Sequence, residues 1–297
     1  MEFQSGAVSP VESIQEGWRI IKDDYWTFFL MILVAGVIII VAAIILGSIS
    51  QGITFGISTA LGMATINAGD VGKVSAAILP QIIALIISIF TNIIVITLSG
   101  ALMCGIYSAL LRKTNSGVVD FGDLFSGFQK LQSCFIIAVV MSLIQFVIGI
   151  VTVVAGAALG VSVVGLSAMA RNGKIDPAIF GGLFLGIFVI AIISILINLI
   201  ISVLTYFVYP LIALRNLSGI EALMTSIRAG LSNIGGLILL IILTGLMTFG
   251  GILVCFIGVL FVFPVVIASI FAAFQRVFGR TVGDMGFQTP PPPPNFG

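Results

Sequence analysis

The chain has 297 residues, of which 60% are apolar and 8% charged, with no histidine and a formal net charge of +1. A mean hydropathy of +1.30 excludes a soluble globular domain. Long unbroken apolar runs argue against a transmembrane barrel, whose short strands alternate in polarity, and the near-neutral charge gives no reason to expect nucleic acid as a partner.

Taken in chain order, residues Ser9 to Tyr25 read S-P-V-E-S-I-Q-E-G-W-R-I-I-K-D-D-Y and carry six charged side chains. Ser9 suits an N-cap, Pro10 the first helical position and Glu12 the closing residue of a capping box. Val11, Ile14, Trp18 and Ile21 then share one helical face. That pattern predicts an amphipathic helix on the membrane surface, with Trp18, Tyr25 and Trp26 at headgroup level. These residues lack the basic start and short apolar core of a secretory signal, so the first span, about 26–46, is expected to be retained. A long outer loop, Ser48–Ser75, leads to a second span at about 82–111. The uncharged run Val74–Leu111 would reach roughly 55 Å as a straight helix, more than a bilayer needs, and Gly100 and Gly105 are candidate break points.

The apolar register of the first surface helix then returns. A shift of 110 residues places Phe121, Leu124 and Phe128 under Val11, Ile14 and Trp18, with Asp120 and Asp123 supplying acids. A third span at about 134–156, an outer loop Val161–Pro177 and a fourth span at about 183–213 follow, Pro210 being a candidate break. A shift of 209 places Ile220, Leu223 and Ile227 in the same register, and Ser218 with Glu221 repeats the capping box. Spans at about 235–254 and 259–278 complete the set. F-V-Y-P-L-I-A (Phe207 to Ala213) and F-V-F-P-V-V-I-A (Phe261 to Ala268) match between the fourth and sixth spans.

The expected fold class is therefore all-α, a polytopic membrane bundle of six transmembrane helices. They form three pseudo-repeats, about 9–113, 119–215 and 218–280, each an interfacial amphipathic helix plus a two-helix hairpin. Residues 1–280 make one membrane domain. The proline-rich end, T-P-P-P-P-P-N-F-G from Thr289, predicts a disordered cytoplasmic tail over 281–297. Nine Lys and Arg fall on the side of the termini and three, Lys73, Arg171 and Lys174, on the other, which predicts that both termini are cytoplasmic.

Catalysis is not expected. Intramembrane serine and metal proteases use histidine, which is absent, and all eleven Asp and Glu fall in loops, surface helices or tails. Cys104, Cys134 and Cys255 lack metal-site spacing and read as packing residues, so no metal or cofactor is expected. Uncharged polar groups do occur in the spans, above all Asn92, Gln145 and Asn198. They suit either hydrogen bonds between helices or a polar path through the bundle. Two functions follow: a non-catalytic structural or assembly subunit, and a transporter or channel for a small or lipid-like solute. The expected partners are the lipid bilayer and other membrane proteins or further copies of the chain.

E-G-W-R-I-I-K-D-D-Y-W before the first span, D-L-F-S-G-F (Asp123 to Phe128) before the third and P-L-I-A-L-R-N (Pro210 to Asn216) closing the fourth resemble prokaryotic six-span membrane proteins of unknown function. The membrane domain fused to some glycerophosphodiester phosphodiesterases is similar in layout. The resemblance implies a plasma-membrane (inner-membrane) location and no assigned activity; the catalytic domain of the fused enzymes has no counterpart here.

Overall fold

The computed structural model describes residues 3–64, 70–158, 177–254 and 257–279. Among them every regular element is helical: α1 (Pro10–Ile21), α2 (Tyr25–Ala64), α3 (Asp70–Ser116), α4 (Asp123–Ser126), α5 (Leu131–Ala158), α6 (Pro177–Thr205), α7 (Val208–Arg215), α8 (Gly219–Ser232), α9 (Ile234–Leu253) and α10 (Ile257–Phe278). Six segments are long and apolar enough to cross a membrane, built on α2, α3, α5, α6 with α7, α9 and α10. Cys255, the tail 281–297 and residues 161–176 of the second predicted outer loop lie outside the described residues.

Two sequence expectations are corrected. Most of the predicted loop Ser48–Ser75 is helix, because α2 continues to Ala64 and α3 begins at Asp70. At 40 and 47 residues these helices would be about 60 and 70 Å long at 1.5 Å per residue. Gly100 and Gly105 do not break α3, which runs unbroken through both. A break does occur before Pro210: α6 ends at Thr205 and α7 starts at Val208. Proline has no N–H for the carbonyl one turn earlier, and it suits the first turn of a new helix. Asn216 then ends α7 in the left-handed conformation, φ 53°.

The chain groups into two compact units. One comprises Met1–Ile39, Leu98–Cys134 and Val203–Gly297. Its core is built from Phe28, Met31, Leu102, Tyr107, Phe207, Phe271 and Phe274, all essentially fully enclosed. The Phe207, Phe274 and Phe278 rings contact one another, with centroids 4.9–6.2 Å apart. α1 packs along α10 and α9, and the start of the chain is tied to the end of α10 by Gln4 N–H donating to the Val277 carbonyl at 2.8 Å. Asn233 closes this corner, accepting from Ala7 N–H and donating to the Gln4 and Ala229 carbonyls.

The other unit comprises Ile40–Thr97 and Phe135–Ser202. Large apolar side chains such as Ile44, Phe55, Phe90, Val154, Phe184 and Ile195 are exposed along all four of its helical segments. Such exposure suits a hydrocarbon solvent and no aqueous one.

Candidate functional sites: outward-facing lead helices and a polar cleft

A short lead segment, α1, α4 or α8, precedes the spans on α2, α5 and α9, and each segment seats its small residues on another helix. A β-carbon at Gly17 of α1 would stand 2.6 Å from the Ser269 nitrogen of α10. One at Gly127, in the 3-10 turn Gly127–Lys130 after α4, would stand 1.8 Å from the Ala101 carbonyl oxygen of α3. Reciprocally, one at Gly105 would meet the Leu124 carbonyl oxygen at 1.9 Å. In α8 the same register holds Ser226, whose hydroxyl donates to the Leu204 carbonyl at 2.8 Å and accepts from Phe207 N–H at 3.1 Å. It thereby satisfies backbone groups freed by the break between α6 and α7.

The faces turned outward carry most of the apolar residues singled out in the sequence. Val11 and Trp18 are 55% and 47% exposed, and Phe121 and Ile220 are exposed as well, while Ile14, Phe128, Leu223 and Ile227 are half-buried. Two depart from the expected surface: Ile21 and Leu124 are both fully enclosed by protein. Leu124 goes inside because the glycines at 105 and 127 bring its backbone against α3. The second lead segment is also no full surface helix, being one turn of α-helix followed by the 3-10 turn. The small-residue spacing Ser13–Gly17 and Ala222–Ser226–Gly230 was the available signal for the seated face, at i and i+4.

Beside α1, an aromatic cluster joins Trp18, Tyr25, Trp26, Phe29 and Phe261, with centroids 4.9–6.4 Å apart, and Tyr25 donates to the Phe261 carbonyl at 2.7 Å. The capping box forms at Ser218 and Glu221, and the hydrogen bonds from Ser218 hold the Glu221 carboxyl below the usual carboxylate range. It does not form at Ser9, whose side chain caps nothing. Glu12 instead joins Glu16 in binding the Arg276 guanidinium. Arg112 likewise binds Asp120 and Asp123, and Lys113 binds Asp24.

Hydrogen bonding and attraction from Arg276 hold the Glu12 carboxyl below the usual carboxylate range. A depressed carboxylate stabilises the fold above its unfolded pKa, about 4.3, and that contribution is lost as pH falls through the folded value. Glu12→Gln should therefore lower the thermal midpoint at pH 7, and the gap to the parent protein should close below about pH 4. A gap of the same size at both ends of the range would remove the ion pair as its cause.

In the second unit, Asn92 and Ser88 of α3 meet Ser142 and Gln145 of α5 around an open cleft of about 400 Å³. Asn92 Nδ2 donates to the Ser88 carbonyl at 3.0 Å. Gln145 Nε2 reaches Asn198 Oδ1 of α6 at 3.4 Å, and Asn198 Nδ2 donates to the Ser194 carbonyl at 2.8 Å. Of the three amides picked from the sequence, the structure thus pairs Gln145 with Asn198 and places Gln145 and Asn92 on the walls of one cleft. Ser142, which sequence reading passed over, is buried and its hydroxyl has no hydrogen-bond partner. Its spacing from Gln145, one helical turn, was the signal available. No charged residue lines the cleft, and no cluster of three His, Cys, Asp or Glu occurs among the described residues. Ser194 also lines a smaller apolar cavity of about 110 Å³ between α5 and α6. Cys104 and Cys134, in the other unit, are buried free thiols whose sulfurs lie 3.8 Å apart.

The fold defines a multi-pass helical membrane protein. No protein-family model, curated protein or solved structure matches the chain.

Proposed function

We propose that the chain is a non-catalytic integral protein of the plasma membrane, a structural or assembly subunit whose three lead segments rest on the cytoplasmic leaflet. The observation that carries this reading is the common seating of Gly17, Gly127 and Ser226. Each occupies the same register of its segment and each contacts the C-terminal half of another span, which leaves Val11, Trp18, Phe121, Phe125, Ile220 and Met224 facing outward. Three pseudo-repeats arranged about an axis along the membrane normal account for that agreement. The excess of Lys and Arg on the side of the lead segments supports cytoplasmic termini, and the Trp18–Tyr25–Trp26 cluster suits headgroup depth. The likeness in layout to six-span prokaryotic membrane proteins supports the same assignment.

Depth-dependent quenching of a fluorophore at positions 11, 18, 220 and 224 of protein reconstituted in vesicles tests it. All four should report the headgroup to upper acyl region, whereas a probe at Glu221 should report water. Water exposure at all four would end the reading.

A second reading, binding or carriage of a small or lipid-like solute, is favoured by the cleft lined by Asn92, Ser142 and Gln145.

A further inference from the structure

We infer that the cleft between α3 and α5 holds the head of an uncharged, hydroxyl-bearing lipid of the diacylglycerol type. The inference rests on the solute-binding reading and adds the chemical class of the ligand.

The unused hydrogen-bonding capacity of the cleft defines what fits. Asn92 and Gln145 each spend one amide N–H, on the Ser88 carbonyl and on Asn198, and among the described residues make no hydrogen bond through the side-chain oxygen. Each amide therefore keeps an acceptor oxygen and a second N–H. The buried Ser142 hydroxyl adds an unpartnered donor and acceptor. This set matches one ligand hydroxyl, donating to an amide oxygen, and one or two ester carbonyls, accepting from N–H or O–H. Leaving these groups unmet in hydrocarbon is costly, so the site favours a molecule that satisfies them.

Charge decides against phospholipids. With no Lys or Arg in the lining, a phosphate would shed water without any cation to replace it. The surroundings decide for a lipid over a water-soluble polyol. Leu85, Ile89, Ile96 and Phe146 line the same cleft, and Phe90, Ile94 and Leu143 on the same two helices are exposed apolar residues. Along α3, Asn92 stands twenty residues from Arg112, roughly 30 Å of helix or about one hydrocarbon thickness, which brings the amide toward the opposite boundary of the core, the depth at which a diacylglycerol head lies. A volume of about 400 Å³ is of the size that ligand pockets have.

The test uses the full chain reconstituted in vesicles of phosphatidylethanolamine and phosphatidylglycerol that carry a trace of photoactivatable diacylglycerol. After illumination, adducts should map to peptides containing residues 85–96 or 142–146. Unlabelled diacylglycerol should displace the probe, and a photoactivatable phosphatidylcholine should label those peptides at least tenfold less. Ser142→Ala and Asn92→Leu should each weaken labelling about threefold to tenfold, the loss of one hydrogen bond, with unchanged elution on size exclusion. Equal labelling by the phosphatidylcholine probe, displacement by soluble glycerol, or adducts confined to other peptides would overturn the inference on wild-type protein alone. Labelling that survives both substitutions would do the same. A benzophenone at position 145 that captures a second copy of the chain instead of lipid would assign the amides to self-association. Depth measurements on the lead segments are unaffected by any of these outcomes, so the two proposals fail separately.

Discussion

Gly127→Val is expected to prevent the second lead segment from seating on α3, and the protein should lose more than about 3 kcal/mol of stability or fail to accumulate in the membrane. The reason is local and backbone-bound. A β-carbon at 127 would stand 1.8 Å from the Ala101 carbonyl oxygen and 2.6 Å from the Gly105 nitrogen. Neither atom is the end of a flexible side chain, so relief requires α3 and the turn at Gly127–Lys130 to separate. Overpacking of a core commonly costs about 1–3 kcal/mol, and a clash with three main-chain atoms of α3 belongs above that range. Separation would also uncover Leu124, which is fully enclosed. Gly36→Val supplies the control, because nothing lies within 4 Å of a β-carbon there. Thermal unfolding followed by size exclusion measures both variants, and equal midpoints would show that the close approach is not what holds the segment.

Ser226→Ala should cost about 2 kcal/mol, an unusual amount for removing one hydroxyl. Ser226 is fully buried and serves the main chain of other helices on both sides of its oxygen. Its loss leaves the Phe207 N–H buried without a partner, and an orphaned buried donor costs about 1–3 kcal/mol. Ser13 is the comparison: it is equally buried, but its hydroxyl bonds only the Ser9 carbonyl of its own helix start, at 2.7 Å, where the Ser13 N–H already donates at 2.9 Å. Ser13→Ala should therefore cost well under 1 kcal/mol. Hydrogen exchange at the Phe207 amide should be slow in the parent protein and fast in the Ser226 variant alone. If the two alanine variants prove equally stable, the bridging role assigned to Ser226 is wrong.

The spans could be read from the sequence because apolar runs of bilayer length have one common solution in hydrocarbon. The extra helix at Ser48–Ala64 could not be read so directly. Gly47, Gly52 and Gly56 with interspersed Ser and Thr look like loop chemistry, yet Thr54 and Thr59 donate to the Ser50 and Phe55 carbonyls one turn back and so stay helical. The apolar register of the lead segments was visible, but attention to large side chains hid the small ones that do the seating. Ser9 shows the limit of a local motif. Its capping box was as good as that at Ser218, and it lost Glu12 to an arginine 264 positions away, a competition that no window of sequence contains. Asn92, Gln145 and Asn198 were found because amides are rare in such runs, whereas Ser142 became informative only once its burial and lack of a partner were known.

The corner where α1 lies on α10 has a consequence for biosynthesis. A ribosome delivers the chain from its N-terminus at a few residues each second, so α1 is finished long before the α10 backbone at Ala268 and Ser269 that receives Gly17 has been made. Until then the Gly17 flank of α1, Glu12 and the Gln4–Ala7 stretch wait without their permanent neighbours, while the intervening spans insert. Completion of the first unit therefore waits for the synthesis of α10, and the bonds from Gln4 to Val277 and from Glu12 to Arg276 mark a chain that has been translated at least to the end of that helix.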